Sequence, residues 1–295
     1  MRNAMTVDVE DWFHVAALAP YVPRAKWDRC ECRVERNTRR LLALCELQRL
    51  RATFFVLGWV AERYPALVRE IAAHGHEVAC HGQSHQLVYC QTPDEFREET
   101  RRAKRTLEDI VQQPVTGYRA ASYSITRRSL WALDVLTEEG FLWDSSIFPI
   151  YHDRYGMPDA PRWPYRLTAP NGAELAEFPL TTVQLGRYRL PIAGGGYFRI
   201  FPYRLTQWGL RRVNRVEQRP FIFYLHPWEI DPGQPRVKAS MAARFRHYTH
   251  LDRCERRLER LLGNFRFTAA GDVLAELGLL AQPQDAAPAR AMVGD

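Results

Sequence analysis

The feature that most constrains this chain is the alternation of strand-like and helix-like segments over its first 147 residues. Residues 4–9 form a short apolar run that ends in acids, as a strand would. In residues 34–50, Leu41, Leu42, Leu44, Cys45 and Leu47 recur at helical spacing. Residues 52–57 are a buried strand. Pro65 opens a helix that runs through Ala73 and stops near Gly75. Residues 77–81 are a third strand. Thr92-Pro93-Asp94-Glu95 is a helix start with a Thr cap, Pro at the first helical position and Glu three residues after the cap. That helix is expected to reach about Gln112. Residues 117–121 are strand-like, Thr126 is expected to cap a helix that stops at Gly140, and residues 141–147 follow as a strand. Such alternation implies parallel strands with helices packed outside them.

Beyond residue 148 the pattern loosens. Residues 151–170, rich in Pro, Arg and aromatics, are expected to be a long ordered loop. Gly194-Gly195-Gly196 marks a tight turn, residues 203–216 a helix, and residues 221–225 an apolar strand ending in His226. With no linker or internal repeat, residues 1–280 are expected to form one domain, with an extension over about 150–280. The Ala/Pro/Gln-rich residues 281–295 are expected to be a disordered tail.

Composition narrows the function classes. With 46% hydrophobic residues among 295, the chain can bury a substantial core. Its net charge of +7 comes from 41 Lys+Arg against 34 Asp+Glu. Many of these Arg sit beside Glu on helical segments, as solvated helix faces do. No basic motif interleaved with aromatics argues for nucleic acid. None of the six cysteines forms a CxxC pair, so they read as reduced thiols rather than a thiolate metal site. No apolar leader and no run of 18 apolar residues occurs, so the expectation is a cytoplasmic protein without a membrane segment.

The polar residues at the strand ends carry the chemistry, because active sites of parallel α/β barrels gather there. Asp8, Glu10 and Asp11 follow the first strand, His81 and His85 the third, Arg119 the fourth, Asp144 the fifth and His226 the late one. His81-Gly-Gln-Ser-His85 places two imidazoles four residues apart. Two His plus one carboxylate is a common ligand set for a catalytic divalent metal, Zn²⁺ first, with Co²⁺ or Ni²⁺ as alternatives. His74 and His76 precede their strand and read as structural. Asp8 and Glu10, two apart on a strand, share a face. Arg119 could orient a carboxylate base, and His226 could serve as a general acid.

These residues resemble the polysaccharide deacetylases with the NodB homology domain, carbohydrate esterase family 4. Five motifs stand in family order: TVDVEDWF from Thr6, HGQSH from His81, GYRAASYSIT from Gly117, WDSSIFP from Trp143 and FYLHPWEID from Phe223. RYGMPDAPRWP from Arg154 and LPIAGGGYFR from Leu190 resemble the C-terminal extension of the branch found with exosortase-linked exopolysaccharide gene clusters. The resemblance implies a distorted (β/α)₇ barrel and metal-dependent removal of N-acetyl groups from a polysaccharide or oligosaccharide. It implies Asp8 as catalytic base, His81 and His85 as metal ligands, Arg119 as the residue that orients the base, Asp144 as the partner of the acid, and His226 as the acid. Leu225 would line the acetyl pocket, with Tyr123 and Trp228 as further substrate-binding residues. The first motif departs from the usual two adjacent Asp. The carboxylate ligand is therefore Glu10 or Asp11, with Glu10 favoured because it shares the strand face with Asp8. Ala121 stands where a Pro is common.

Three rival readings stay open: an Fe(II) oxygenase, a glycan-binding protein without catalysis, and a hydrolase of a small ring amide.

Overall fold

The computed structural model describes residues 1–152 and 154–280, so the expected tail lies outside the described residues. Strand and helix alternate as β1 (Asn3–Val9), α1 (Val34–Leu47), β2 (Thr53–Val56), α2 (Gly58–Arg63), α3 (Pro65–Ala73), β3 (Glu77–Cys80), α4 (Pro93–Val111), β4 (Gly117–Tyr118), α5 (Trp131–Glu138) and β5 (Trp143–Asp144). There follow β6 (Tyr165–Thr168), β7 (Glu174–Glu177), β8 (Thr182–Leu185), β9 (Tyr188–Pro191), α6 (Gly195–Ile200), α7 (Tyr203–Arg215) and β10 (Ile222–Leu225). The described chain ends with α8 (Met241–Tyr248), α9 (Leu251–Leu262), β11 (Phe267–Thr268) and α10 (Ala270–Glu276).

The main sheet runs β10-β1-β2-β3-β4-β5-β7-β6. Every pairing from β10 to β7 is parallel, and β6 lies antiparallel on β7. The strands β10, β1, β2, β3, β4, β5 and β7 thus form the curled sheet of a distorted (β/α)₇ half-barrel, as the alternation and the resemblance imply.

The pleat of β1 shows why the site sits inside the curl. Met5, Val7 and Val9 point outward into the core shared with the helices. Ala4 points inward among Phe55, Trp143, Ile222 and Tyr224, and Thr6 and Asp8 have the same parity. α10 adds Val273 and Leu274 to this inner core.

The seam between the sheet's two ends is stitched by side chain and backbone. The Thr181 hydroxyl donates to the Ile222 carbonyl (2.9 Å) and accepts from its N–H (2.8 Å). Gly194 forms a bridge to Tyr224. Its φ is 134°, and a Cβ there would lie 1.9 Å from the Tyr224 carbonyl oxygen. The glycine triplet, expected as a tight turn, is therefore a close approach of two backbones that leads into α6.

Other expectations shift for local reasons. Thr126 does not cap α5, which begins at Trp131; its N–H instead donates to the Ser129 hydroxyl in a turn that precedes the helix. β6 lies inside the segment expected to be loop, and α2 breaks off at Tyr64 before Pro65 starts α3. The cysteines are all free. Among the described residues no helix is long and apolar enough to cross a membrane.

Candidate active site

Asp8, at the end of β1, is 1% exposed. Its Oδ1 accepts a hydrogen bond from Arg119 Nη1 at 2.6 Å. Arg119 is itself fully buried, donates to the Thr6 hydroxyl (2.8 Å), the Ser145 carbonyl and the Ser145 hydroxyl (2.9 Å), and lies 4.0 Å over the Phe55 ring. A planar guanidinium held at so many points fixes the carboxylate's direction. Ser122 and Tyr123 both adopt left-handed backbone conformations (φ 50° and 54°). Such conformations cost about 1–3 kcal/mol each for residues other than glycine. This bend brings the Tyr123 hydroxyl to 3.5 Å from Asp8 Oδ2.

Glu10, His81 and His85 bring one ligand atom each to within 4.8 Å of one another. His81 Nδ1 is tied to the Arg119 carbonyl at 2.8 Å, which puts its hydrogen there and leaves Nε2 as the lone-pair nitrogen. Burial pushes the His81 pKa down to about 4, against the pull of Asp8, so the ring is neutral as a ligand must be. His85 itself adopts a left-handed backbone conformation (φ 53°) and brings Nε2 to 2.7 Å from Glu10 Oε2. That buried oxygen makes no hydrogen bond of good geometry. Burial would raise the Glu10 pKa, but His85, His226 and His81 together hold it well below the ordinary carboxylate range. One buried carboxylate with an oxygen that makes no hydrogen bond, and two imidazole nitrogens beside it, fit a divalent cation such as Zn²⁺.

Asp11 takes no part in this cluster. Its carboxylate accepts from the N–H groups of Trp12 (2.8 Å), Arg33 and Val34 (2.8 Å), and so anchors the start of α1. His76 accepts from the Ala52 N–H and is a structural residue, while His74 only meets the Glu70 carbonyl of its own helix.

His226 follows β10 and faces the same space. Its Nε2 lies 3.3 Å from Glu10 Oε1 and 3.8 Å from Asp8 Oδ2. Its ring stacks on Trp228. Asp144 is not its partner, which corrects the sequence expectation. Asp144 accepts from the Ser146 N–H (3.0 Å) and hydroxyl (2.6 Å), and burial together with the nearby Asp144 carboxylate raises the pKa of Glu177 well above the usual range. Its place at a strand end gave it the right end of the barrel but not the right side. The residue that meets His226 is Glu229, whose Oε2 accepts from Nδ1 at 2.8 Å and from the His226 N–H at 3.0 Å. Burial opposes a charged ring, but Glu10, Glu229 and Asp8 overcome it and hold the His226 pKa at about 9. Sequence reasoning missed Glu229. The signal was available, since a side chain that turns back to the N–H three residues earlier is the spacing of a capping box.

The three groups open into one cavity of about 660 Å³. Tyr123 and Trp228 line it, and Tyr155, Tyr197 and Tyr224 extend its aromatic wall. Leu225 does not line it. It is fully buried on the outward face of β10, alternating with Tyr224, and packs in the core between sheet and helices. The lining position expected of Leu225 belongs to Tyr224.

Residues 26–137 match the family described as polysaccharide deacetylase, and residues 145–275 match a domain of unknown function, DUF3473. A chitooligosaccharide deacetylase of Bradyrhizobium sp. is 37% identical over 89 residues, 30% of this chain and 38% of that protein. A peptidoglycan deacetylase of Helicobacter pylori is 28% identical over 121 residues, 40% of each chain. The matched region thus spans less than half the length of these relatives. Among solved structures, a candidate polysaccharide deacetylase from Mycobacterium smegmatis superposes with a TM-score of 0.61 at 19% identity, covering 94% of this chain and 90% of the other. The allantoinase Puue superposes with a TM-score of 0.58 at 16% identity, covering 94% and 91%. At these identities the likeness to solved structures fixes the fold alone.

Proposed function

We propose that this chain, whose residues 26–137 match the polysaccharide deacetylase family, hydrolyses the N-acetyl amides of a sugar chain with the help of one divalent metal. The observation that carries this reading is the convergence, in one cavity, of Asp8 held by Arg119, the cluster Glu10–His81–His85, and His226 held by Glu229. Amide hydrolysis needs these three things. Water is a weak nucleophile, the acyl oxygen gains charge, and an amine leaves only when protonated.

Glu10, His81 and His85 would hold the metal, which when bound supplies Lewis acidity toward the acyl oxygen and toward water. Asp8 accepts the proton of the attacking water as the new carbon–oxygen bond forms, and Arg119 keeps its carboxylate aimed. His226 donates the proton on Nε2 to the sugar nitrogen as the carbon–nitrogen bond breaks. Acetate and a free amino sugar result. The size of the cavity and its aromatic wall support a sugar chain rather than a small ring amide, because aromatic faces stack well on the apolar faces of sugar rings. Exopolysaccharide assembly is the setting, supported by the resemblance of residues 154–164 and 190–199 to the branch extension.

The test is mass spectrometry of N-acetylglucosamine oligomers incubated with the protein, with and without a chelator. Loss of acetyl groups that the chelator suppresses is expected. Oligomers that keep every acetyl group across N-acetylated glycans of several linkages would overturn the reading.

A further inference from the structure

Arg199 is a fully buried guanidinium in the wall of the cavity, outside the five motifs, in the segment that matches the domain of unknown function. It lies on α6, whose first turn is seated against Tyr224 by Gly194 and Gly195. Its Nε donates to Glu229 Oε1 at 2.6 Å. Its other nitrogens donate to the carbonyls of Arg246 (2.8 Å), His247 (3.0 Å) and Thr249 (2.7 Å), at the corner between α8 and α9. Glu229, equally buried, uses its other oxygen for both the backbone N–H and Nδ1 of His226. The result is one line of hydrogen bonds from three carbonyls through Arg199 and Glu229 to the imidazole.

A staple for the α8–α9 corner would need only the donors that meet the carbonyls. It would not need a carboxylate buried beside it, and a buried carboxylate without a cationic partner is strongly disfavoured. The second half of the line has a different consequence. With Nδ1–H committed to Glu229, Nε2 is the nitrogen left facing Asp8 and Glu10. Resting on the deacetylase reading above, we propose that Arg199 is a positioning residue that acts through Glu229 to fix the direction of the His226 ring, with Nδ1–H held on Glu229 and Nε2 turned toward Asp8 and Glu10. The 145–275 segment is then no separate module: it supplies the acid half of the reaction's machinery.

The test compares Arg199→Met, Arg199→Lys, Glu229→Gln and the double variant Arg199→Met/Glu229→Gln, which removes both buried charges together. Two readouts are taken on each. The first is kcat and KM on an N-acetylated oligosaccharide, with metal content measured alongside. The second, independent of turnover, is the nitrogen NMR signature of the His226 ring. Arg199→Met is expected to lower kcat about 10- to 100-fold, the usual effect of losing an outer partner of a functional imidazole, with KM and metal content nearly unchanged. Arg199→Lys should recover part of the loss. The double variant should be no worse than Glu229→Gln alone, because the two residues act as a unit. The Nδ1–H signal should be sharp in the unaltered protein and lost or exchange-broadened in Arg199→Met and Glu229→Gln. A lowered Tm with unchanged kcat and an unchanged ring signature would make Arg199 a structural staple and overturn the proposal. If Arg199→Met does not fold, an unchanged ring signature in Glu229→Gln does the same. A protein with no deacetylase activity but the predicted ring signatures would sink the deacetylase reading while leaving the positioning role in place.

Discussion

The neighbouring acids Glu10 and Asp11 should fail in opposite ways when removed. Asp11→Ala leaves the N–H groups of Trp12, Arg33 and Val34 without their acceptor in a site that is 1% exposed at Asp11. An unmatched buried donor costs about 1–3 kcal/mol, and a lost helix cap about 0.5–2 kcal/mol. Water can enter the space vacated by the side chain and relieve part of this. A net loss of about 3–5 kcal/mol places the substitution at the severe end of single changes. For a chain of this size that lowers Tm by about 10 °C. The folded fraction should still bind metal and turn over normally. Glu10→Ala removes an oxygen that anchors no backbone group, so Tm should change little while metal is lost. Thermal denaturation, metal analysis and turnover per folded molecule are measured on both variants. Metal loss in a well-folded Asp11→Ala, with full metal in Glu10→Ala, would refute the assignment of Glu10 to the cluster.

Asp8→Asn should keep the metal and lose about 10²- to 10⁴-fold in turnover, since an amide cannot accept the water's proton; near-normal turnover would pass the base role to another group. His226, held at about 9 by Glu10 and Glu229 against burial, must be protonated to act, so the rate should fall as pH rises through about 9. Glu229→Gln should move that limb toward lower pH, in the direction of the ordinary value of 6.5, whereas Asp144→Asn should leave it in place; a limb that moves in Asp144→Asn and not in Glu229→Gln would reverse the pairing. The same raised pKa contributes stability that is complete below about 6.5 and is lost as pH rises through about 9. His226→Gln should therefore flatten the decline of Tm across that window, and an unaltered slope would show that the ring is not charged in the fold. Gly194→Ala should abolish the soluble fold or open the seam, because its Cβ would lie 1.9 Å from the Tyr224 carbonyl; a normally folded variant, judged by circular dichroism, would show that the seam can spread.

Which parts of this were legible in the sequence depends on how local their causes are. The alternation of β1 sorts Asp8 and Glu10 from Val7 and Val9 by a period of two, and that rule needs nothing beyond five consecutive residues. The capping box at Thr92 and the Pro65 start of α3 are likewise written in three or four residues. Applied to β10, the same period would have put Leu225 with Phe223 on the outer face and Tyr224 in the cavity. Position around the sheet is not local. Asp144 ends its strand at the correct end of the barrel, but β5 stands five places from β10 in the sheet order, so only the fold reveals that Glu177 rather than His226 is its distant neighbour, while Ser146 is a partner two residues away. Arg199 was invisible for the same reason, since the carbonyls that receive it lie 47 to 50 residues further on. Short elements such as α2, β6 and β11 carry too few residues for periodicity to show, and only contacts with the rest of the sheet define them.

On the proposed reading, Glu10, His81 and His85 hold the one metal on which acetyl release depends. The most direct measurement follows acetate released from N-acetylglucosamine oligomers while the protein is stripped of metal and then titrated with Zn²⁺, in the unaltered chain and in His81→Ala/His85→Ala. Activity should vanish on stripping, return in proportion to metal up to one ion per chain, and never return in the double variant, which should bind no metal tightly. Full acetate release from the stripped protein, or a double variant that takes up one ion and works, would contradict it.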